Sequence, residues 1–110
     1  MSHITTHILD TSLGRPAAGV AVWLERIEHG EAREVARGTT DADGRLMALT
    51  PQPLAAGHYR LSADIGGYFR ASGRDSLYRA AVLEIEIDGQ PHYHLPLLIA
   101  PYSYSTYRGS

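Results

Sequence analysis

Residues 81–87, Ala-Val-Leu-Glu-Ile-Glu-Ile, alternate between two kinds of side chain. Leu83, Ile85 and Ile87 would share one face of an extended segment, and the residues between them would share the opposite face. A period of two residues is typical of a β-strand that has one side in a protein core and the other in water. This stretch therefore predicts a half-buried strand, and it sets the expectation for the rest of the chain.

Similar patterns recur along the sequence. In residues 20–25, Val20, Val22 and Leu24 lie on one predicted face. Residues 31–36 contain Ala and Glu and suit a helix at least as well, but they lie between turn signals in a strand-rich chain, so we predict a strand. Further strands are predicted at residues 4–9, 58–63 and 92–99, and residues 102–110 are predicted to form a strand that leads to an ordered end. One short helix is predicted over Tyr68–Arg74.

Turn-forming Asp, Gly and Pro residues separate these segments at regular intervals. Asp88-Gly89 stands between two predicted strands and indicates a β-hairpin. Seven or eight short strands with regular turns predict an all-β fold, an antiparallel β-sandwich of two sheets with one short helix. The sequence shows no linker and no internal repeat, so we expect a single domain over residues 1–110.

The composition excludes several classes of protein. Hydrophobic residues make up 44% and charged residues 20%, as in an ordinary globular protein. The absence of cysteine excludes disulfides, thiolate catalysis and cysteine-ligated metals. A net charge of −2 attracts neither nucleic acid nor an anionic membrane. No apolar stretch approaches the roughly 20 residues of a membrane helix, and the first residues lack a signal-peptide pattern, so a cytoplasmic location is expected.

Two of the six histidines flank Tyr93 on a predicted strand. The side chains of His92 and His94 would project from the same face, roughly 6.6 Å apart along the strand. Such a pair can supply two ligands of a metal when a third ligand comes from elsewhere. An exposed or structural pair is an equally good interpretation from the sequence.

Two other residues have side chains suited to catalysis. His7 lies on the first predicted strand, where an imidazole could act as a general base for water, although a lone histidine on a strand is more often structural. Arg45 follows the turn residues Asp43-Gly44, and its guanidinium could hold substrate oxygens or simply be solvated. Asp10, beside Thr11 and Ser12, is typical of a turn.

Four motifs together resemble the transthyretin-related family, and within it the hydroxyisourate-hydrolase branch. They are residues 6–17 (Thr-His-Ile-Leu-Asp-Thr-Ser-Leu-Gly-Arg-Pro-Ala), residues 40–45 (Thr-Asp-Ala-Asp-Gly-Arg), residues 92–98 (His-Tyr-His-Leu-Pro-Leu-Leu) and residues 105–110 (Ser-Thr-Tyr-Arg-Gly-Ser). The closing Tyr-Arg-Gly-Ser is the most specific, because the hormone-carrying transthyretins lack it. The four motifs occur in order and span nearly the whole chain.

This resemblance implies a function and an assembly. The implied fold is a two-sheet sandwich assembled as a homotetramer, a dimer of dimers with active sites at the dimer–dimer interface. The implied reaction is hydrolysis of 5-hydroxyisourate to 2-oxo-4-hydroxy-4-carboxy-5-ureidoimidazoline, without a metal or an organic cofactor. The implied catalytic residues are His7, Arg45 and His94, and the implied substrate-binding residues are His7, Arg45, Tyr107, Arg108, Gly109 and Ser110.

The residue types suit such a reaction, since ring opening is acyl transfer to water through an oxyanion. We hypothesise that His7 and His94 lie on opposite sides of the substrate, while Arg45 and Arg108 hold its oxygens and Tyr107 forms a wall. Which histidine is the base stays open. Two alternatives remain: a metal-dependent hydrolase built on His92, His94 and His7, and a small-molecule carrier without catalysis.

Overall fold

The computed structural model describes residues 1–110 and contains nine strands and one helix. Seven strands have four or more residues, and two strands of two residues each pair with the first strand. The elements are β1 (His3–Asp10), β2 (Arg15–Pro16), β3 (Ala21–Glu28), β4 (Glu31–Thr39), β5 (Arg45–Leu46), β6 (Gly57–Ala63), α1 (Ile65–Ala71), β7 (Ala81–Ile87), β8 (His92–Ala100) and β9 (Ser103–Thr106).

The strands form two sheets that enclose one core. The first sheet has the order β2-β1-β8-β9, with β5 also paired to β1, and the second has the order β4-β3-β6-β7. A single cluster of 19 buried hydrophobic residues draws on both sheets, including Ile4 and Ile8 from β1 and Leu24 and Leu61 from the second sheet. The predicted two-sheet β-sandwich with one short helix is confirmed.

The alternation of apolar residues located the strands well. Val20, Val22 and Leu24 are all buried, and the ambiguous segment beginning at Glu31 is a strand. It forms an antiparallel pair with β3 that runs to Thr39. Pairing with β3 therefore overrides the local helix propensity of this segment.

The turn pattern predicted sheets that are antiparallel throughout, but one pair of strands is parallel. β1 and β8 are parallel neighbours over their length, from His3 opposite His92 to Asp10 opposite Ile99. Alternation shows that a segment is extended, but it carries no information about the direction of a neighbour distant in sequence. This parallel pair proves central to the functional site.

The hairpin predicted at Asp88-Gly89 is wrong. β7 pairs with β6 in the second sheet, whereas β8 belongs to the first, so the turn crosses from one sheet to the other. The phenolic oxygen of Tyr93 holds this crossing, since it accepts from the backbone N–H of Asp88 at 2.9 Å and donates to the Asp88 carboxylate. Gly89 has a positive φ, and such a glycine is found in turns between two sheets as well as in hairpins, so the residue type does not distinguish the two.

The single helix begins three residues earlier than predicted, at Ile65 instead of Tyr68, and it ends at Ala71 instead of Arg74. The reason is the cap, because the carboxylate of Asp64 accepts a hydrogen bond from the backbone N–H of Gly67 at 2.9 Å. The helix has seven residues, and no helix of this chain is long and apolar enough to cross a membrane.

Asp10 forms the predicted turn and also the most buried ionic contact of the fold. Its carboxylate is fully buried and accepts hydrogen bonds from the backbone and hydroxyl of Ser12 at 3.1 and 2.5 Å. It also accepts from Tyr68 at 2.8 Å and from Arg74 at 2.6 Å. Burial alone would raise the pKa of Asp10, but the hydrogen bonds from Arg74, Ser12 and Tyr68 outweigh it and lower the pKa to about 2.

Candidate active site

Strand β1 brings the predicted catalytic side chains onto one face of the first sheet. It pairs with β8 on one side, where Thr5 lies opposite His94, and with β5, where His7 lies opposite Arg45. Alternate residues of a strand share a face, so Thr5 and His7 project together with the partners that lie opposite them. These four side chains, which we call the β1 cluster, point away from the core that Ile8 helps to form.

The turn before Arg45 fixes the position of this residue against β1. The side chain of Asp41 accepts from the backbone N–H groups of Asp43 at 2.9 Å and Arg45 at 3.0 Å. Gly44 has a φ of 74°, and a Cβ there would lie 2.4 Å from the carbonyl oxygen of Ile8. Only glycine lets the turn approach β1 this closely.

Arg45 itself is exposed, and its guanidinium makes no hydrogen bond or ion pair within the chain. The guanidinium is therefore free to donate hydrogen bonds to oxygen atoms of a ligand. His7 is held differently, because its Nε2–H donates to the carbonyl oxygen of Asp43 at 2.9 Å. A carbonyl only accepts, so Nε2 carries the proton, and in the neutral ring Nδ1 is left as the basic nitrogen.

His94 is half-buried at the inner side of the β1 cluster. Burial lowers its pKa below the usual 6.5, and electrostatic repulsion by His92 and His7, when these carry a proton, and by Arg45 lowers the pKa further. The imidazole of His94 is consequently neutral at neutral pH and can accept a proton. The same influences show that His7 and Arg45 are close enough to act on His94 electrostatically.

The hydroxyl of Thr5 joins His94 to its neighbour on β8. Its Oγ1 lies 2.7 Å from Nδ1 of His94 and 2.7 Å from Nε2 of His92. The two rings stand with centroids 6.2 Å apart, and the hydroxyl occupies the space between their facing nitrogens. Nε2 of His94 makes no hydrogen bond within the chain.

The last residues of the sequence fold back onto β8. The backbone N–H of Gly109 donates to the carbonyl oxygen of His94 at 2.7 Å, and the guanidinium of Arg108 lies 4.5 Å from the centre of the Tyr93 ring. Tyr107 remains 56% exposed. Gly109 and Arg108 therefore contact the strand that carries the histidines, whereas the side chains of Tyr107 and Ser110 make no hydrogen bond within the chain.

The main concavity of the chain lies elsewhere. A cavity of about 230 Å³ is lined by residues 35–36 and 50–54, Val-Ala and Thr-Pro-Gln-Pro-Leu. None of these side chains ionises near neutral pH, so the cavity offers no acid, base or charged anchor. The chemistry of the chain is concentrated on the open face of the β1 cluster.

Comparison with known proteins gives a family that fits this arrangement. The model of the HIUase/Transthyretin family matches residues 4–109, which is nearly the whole chain. The chain belongs to the HIUase/transthyretin family. Within it, the chain is 44% identical over 115 residues to a 5-hydroxyisourate hydrolase of Caulobacter vibrioides, covering all of both sequences.

Solved structures from two branches of the family resemble the chain. A 5-hydroxyisourate hydrolase from Klebsiella pneumoniae has a TM-score of 0.89 and 46% identity, covering 100% of this chain and 94% of its own. Sea bream transthyretin in complex with thyroxine has a TM-score of 0.90 and 33% identity, covering 96% and 93%. The backbone resembles both branches equally, so the side chains of the site have to distinguish them.

A metal centre on His92, His94 and His7 finds little support in the geometry. No group of three or more His, Asp or Glu side chains is arranged to hold a metal ion. A metal shared by His92 and His94 would need to lie within about 2.1 Å of one nitrogen of each ring. The nitrogens that face each other are both engaged by the hydroxyl of Thr5.

Sequence reasoning missed Thr5 and the carbonyl of Asp43. Thr5 could have been found as a partner of His7, because residues two apart on a strand share a face. Its contact with the two histidines of β8 could not, since it depends on the parallel pairing of β1 with β8. The contact of His7 with the Asp43 carbonyl depends on the conformation of a turn. Every residue type has a backbone carbonyl, so the sequence does not indicate this contact.

Replacing Gly109 with alanine should impair the site. A Cβ on Gly109 would lie 2.7 Å from Cδ2 of His94 and 3.2 Å from Cγ of Pro96, so either the ring or the last residues must move. A displacement of about 1 Å can cost up to 10²-fold in rate. We expect kcat of the Gly109→Ala variant to fall about 10- to 100-fold at unchanged stability.

The control for that change is Ser105→Ala, which alters an exposed side chain of β9 that makes no hydrogen bond. Steady-state kinetics and chemical denaturation of both variants give the comparison. Wild-type kcat in the Gly109→Ala protein would show that the contact with His94 does not matter for catalysis.

Proposed function

We propose that the chain hydrolyses 5-hydroxyisourate to 2-oxo-4-hydroxy-4-carboxy-5-ureidoimidazoline, with His7, Arg45 and His94 as catalytic residues and no metal or organic cofactor. The observation that carries the proposal is the β1 cluster, in which a neutral imidazole, a second imidazole and an unpaired guanidinium share one face. Relatives named 5-hydroxyisourate hydrolase, 44% and 46% identical over their length, support the choice of substrate.

His94 is the general base in this proposal. Its lowered pKa keeps the ring neutral, and Nε2 is free to accept a proton from water that attacks the ring carbonyl of the substrate. The attack forms a bond from the water oxygen to carbon and places negative charge on the carbonyl oxygen. Arg45 stabilises this oxyanion, because its charge is permanent and no side chain of the subunit neutralises it.

His7 acts on the opposite side of the substrate. Its Nε2–H is held by the carbonyl of Asp43, so Nδ1 is the nitrogen that faces the ligand. When the oxyanion collapses, the carbon–nitrogen bond breaks, and the protonated form of His7 gives the Nδ1 proton to the leaving nitrogen. Arg108 adds a second cation at the edge of the site, and Tyr107, Gly109 and Ser110 complete the substrate-binding surface.

The proposed assembly is a homotetramer in which the open face of the β1 cluster is covered at the dimer–dimer interface. The edge strands β7 and β9 lack one neighbour each, and the loop before β7 contacts β9 through Tyr78 and Tyr104, with ring centroids 5.3 Å apart. Leu77 and Tyr102, both 65% exposed, lie nearby. Light scattering should give the mass of four subunits, and a monomer at micromolar concentration would contradict the assembly.

The test of function is the decay of 5-hydroxyisourate generated in situ from urate, followed with and without the protein. We expect strong acceleration of ring opening, and the same rate after exhaustive chelation, because the proposed groups are all side chains of the chain. Binding of the substrate without acceleration would favour a carrier instead. Loss of activity on chelation, restored by a metal ion, would favour the metal-dependent hydrolase.

A further inference from the structure

The single proton of the Thr5 hydroxyl links two imidazoles. Thr5 Oγ1 lies within 2.7 Å of a nitrogen of His92 and of a nitrogen of His94. A hydroxyl can donate one hydrogen bond only, so it donates to one of these nitrogens and accepts from the other. When both rings are neutral, the protonation of one facing nitrogen therefore determines the protonation of the other.

Only one of the two arrangements leaves His94 as a base. If Thr5 donates to Nε2 of His92, then Nδ1 of His94 carries a proton and donates to Thr5, and Nε2 of His94 keeps its lone pair. In the opposite arrangement Nε2 of His94 carries the proton and cannot accept another. The hydrogen bond of Thr5 consequently selects the tautomer of His94.

The two ends of this chain of hydrogen bonds differ in their surroundings. His94 is half-buried, and His7, on β1, and Arg45, on β5, act on it with positive charge. His92 is exposed at the start of β8. Two other ionisable groups lie beside His92: Arg108, whose Nη2 lies 3.5 Å from the carbonyl oxygen of His92, and His3, which lies opposite His92 on β1 and whose Nδ1 lies 2.6 Å from the carbonyl oxygen of Thr50. A positive charge is better solvated on the exposed ring than on the half-buried one.

We propose that Thr5 and His92 are positioning residues that set the tautomer of His94 and, through Thr5, take up the positive charge when His94 accepts a proton from water. The inference rests on the proposed hydrolysis. It gives His92 a role at this site without contact between His92 and the substrate.

Three proton transfers carry the positive charge from His94 to His92. A water molecule gives a proton to Nε2 of His94 as its oxygen bonds to the substrate carbon. The Nδ1 proton of His94 passes to Oγ1 of Thr5, and the former hydroxyl proton of Thr5 passes to Nε2 of His92. His94 ends neutral and His92 ends as the imidazolium. The same steps run in reverse when Nε2 of His94 releases its proton to water.

Removal of the Thr5 hydroxyl tests the link directly. Thr5→Val keeps the shape of the side chain and should lower kcat about 10- to 100-fold with little change in KM, the size expected for loss of a group that orients a functional histidine. Thr5→Ser keeps the hydroxyl and should restore most of the rate. Equal activity of the valine and serine variants would overturn the proposal.

A change at His92 separates orientation from proton uptake. Glutamine can hydrogen-bond to Thr5 but cannot take up a proton near neutral pH, and His92 is exposed, so His92→Gln should fold normally. In the wild type, a proton on the exposed ring switches His94 through Thr5 and abolishes its basicity. In the variant only the half-buried His94 titrates, so the acid limb of the kcat/KM profile should move to lower pH, together with a lower kcat.

A merely structural role for His92 would lower activity equally at every pH and leave the acid limb in place. That result would overturn the relay. The exposed His58, bonded to Glu84 on the second sheet, is the matched control, and His58→Gln should change neither kcat nor the profile.

The tautomer of His94 can be read without substrate, from the ¹⁵N shifts of the imidazole nitrogens in labelled protein. We expect the Nδ1–H form in the wild type and a shift toward Nε2–H in Thr5→Val. An Nε2–H tautomer of His94 in the wild type would overturn the inference even if the protein hydrolyses 5-hydroxyisourate. Failure of the wild type to hydrolyse the substrate, with the expected tautomer present, would instead remove the proposed function.

Discussion

Replacing His94 with asparagine is expected to lower kcat for 5-hydroxyisourate by about 10²–10⁴, the range typical for loss of a general base. Asparagine can still donate a hydrogen bond to Thr5 from the position of Nδ1, but it has no group at the position of Nε2. The substrate-binding cations Arg45 and Arg108 are untouched, so KM should change much less than kcat.

The pH dependence gives a second readout for the same residue. The base is active only when neutral, and its pKa lies below the usual 6.5 because of burial and the surrounding positive charge. In the His92→Gln variant, where His94 is the only imidazole of the relay, kcat/KM should therefore stay high below pH 6.5 and fall only as the pH passes below the lowered pKa of His94. The His94→Asn change, made alone or in the His92→Gln variant, should remove the acid limb. A variant with near wild-type turnover, or with the limb intact, would show that another group is the base.

The largest effect on stability is expected from Asp10→Ala. The change removes a fully buried carboxylate and leaves Arg74, Tyr68 and Ser12 without their acceptor. Breaking a buried ion pair from one side costs about 3–5 kcal/mol, and the partial exposure of Arg74 places the expected loss near the lower end. Chemical denaturation at fixed protein concentration measures the difference in the free energy of unfolding.

The stability of the wild type should also depend on this carboxylate at acid pH. The pKa of Asp10 is about 2 in the folded chain and 3.8 as a reference for the unfolded chain. A lowered pKa stabilises the fold above the unfolded value, and this contribution of about 2 kcal/mol is lost as the pH falls from about 4 to 2. In Asp10→Ala this part of the pH dependence should disappear.

The control is Glu34→Ala, which removes one partner of an exposed ion pair with Arg37 at 2.7 Å. Solvent screens such a pair, so no measurable change in stability is expected. If Asp10→Ala were as stable as this control, the buried hydrogen bonds around Asp10 would contribute nothing net to the fold.

Local sequence patterns carried much of the fold. A period of two located Ala81–Ile87 as a strand because side-chain direction along a strand depends only on the position of a residue. The same local reasoning failed at Asp88-Gly89, since a turn looks alike whether the next strand joins the same sheet or the opposite one. It also placed the start of the helix at Tyr68 instead of Ile65. The helix is capped by the carboxylate of Asp64, which accepts from the N–H of Gly67, and Asp64 lies outside the apolar pattern.

The candidate site divides in the same way. The residue types, the spacing of His92 and His94 on one face, and the Asp-Gly turn before Arg45 follow from the sequence itself, because each is a property of a short stretch of chain. Tertiary structure decided the rest: the parallel contact of β1 with β8 places Thr5 between two imidazoles, and burial lowers the pKa of His94. The hydrogen bonds and the solvent exposure of these side chains depend on which distant strand lies beside β1. That neighbour is determined only when the two sheets pack around a common core.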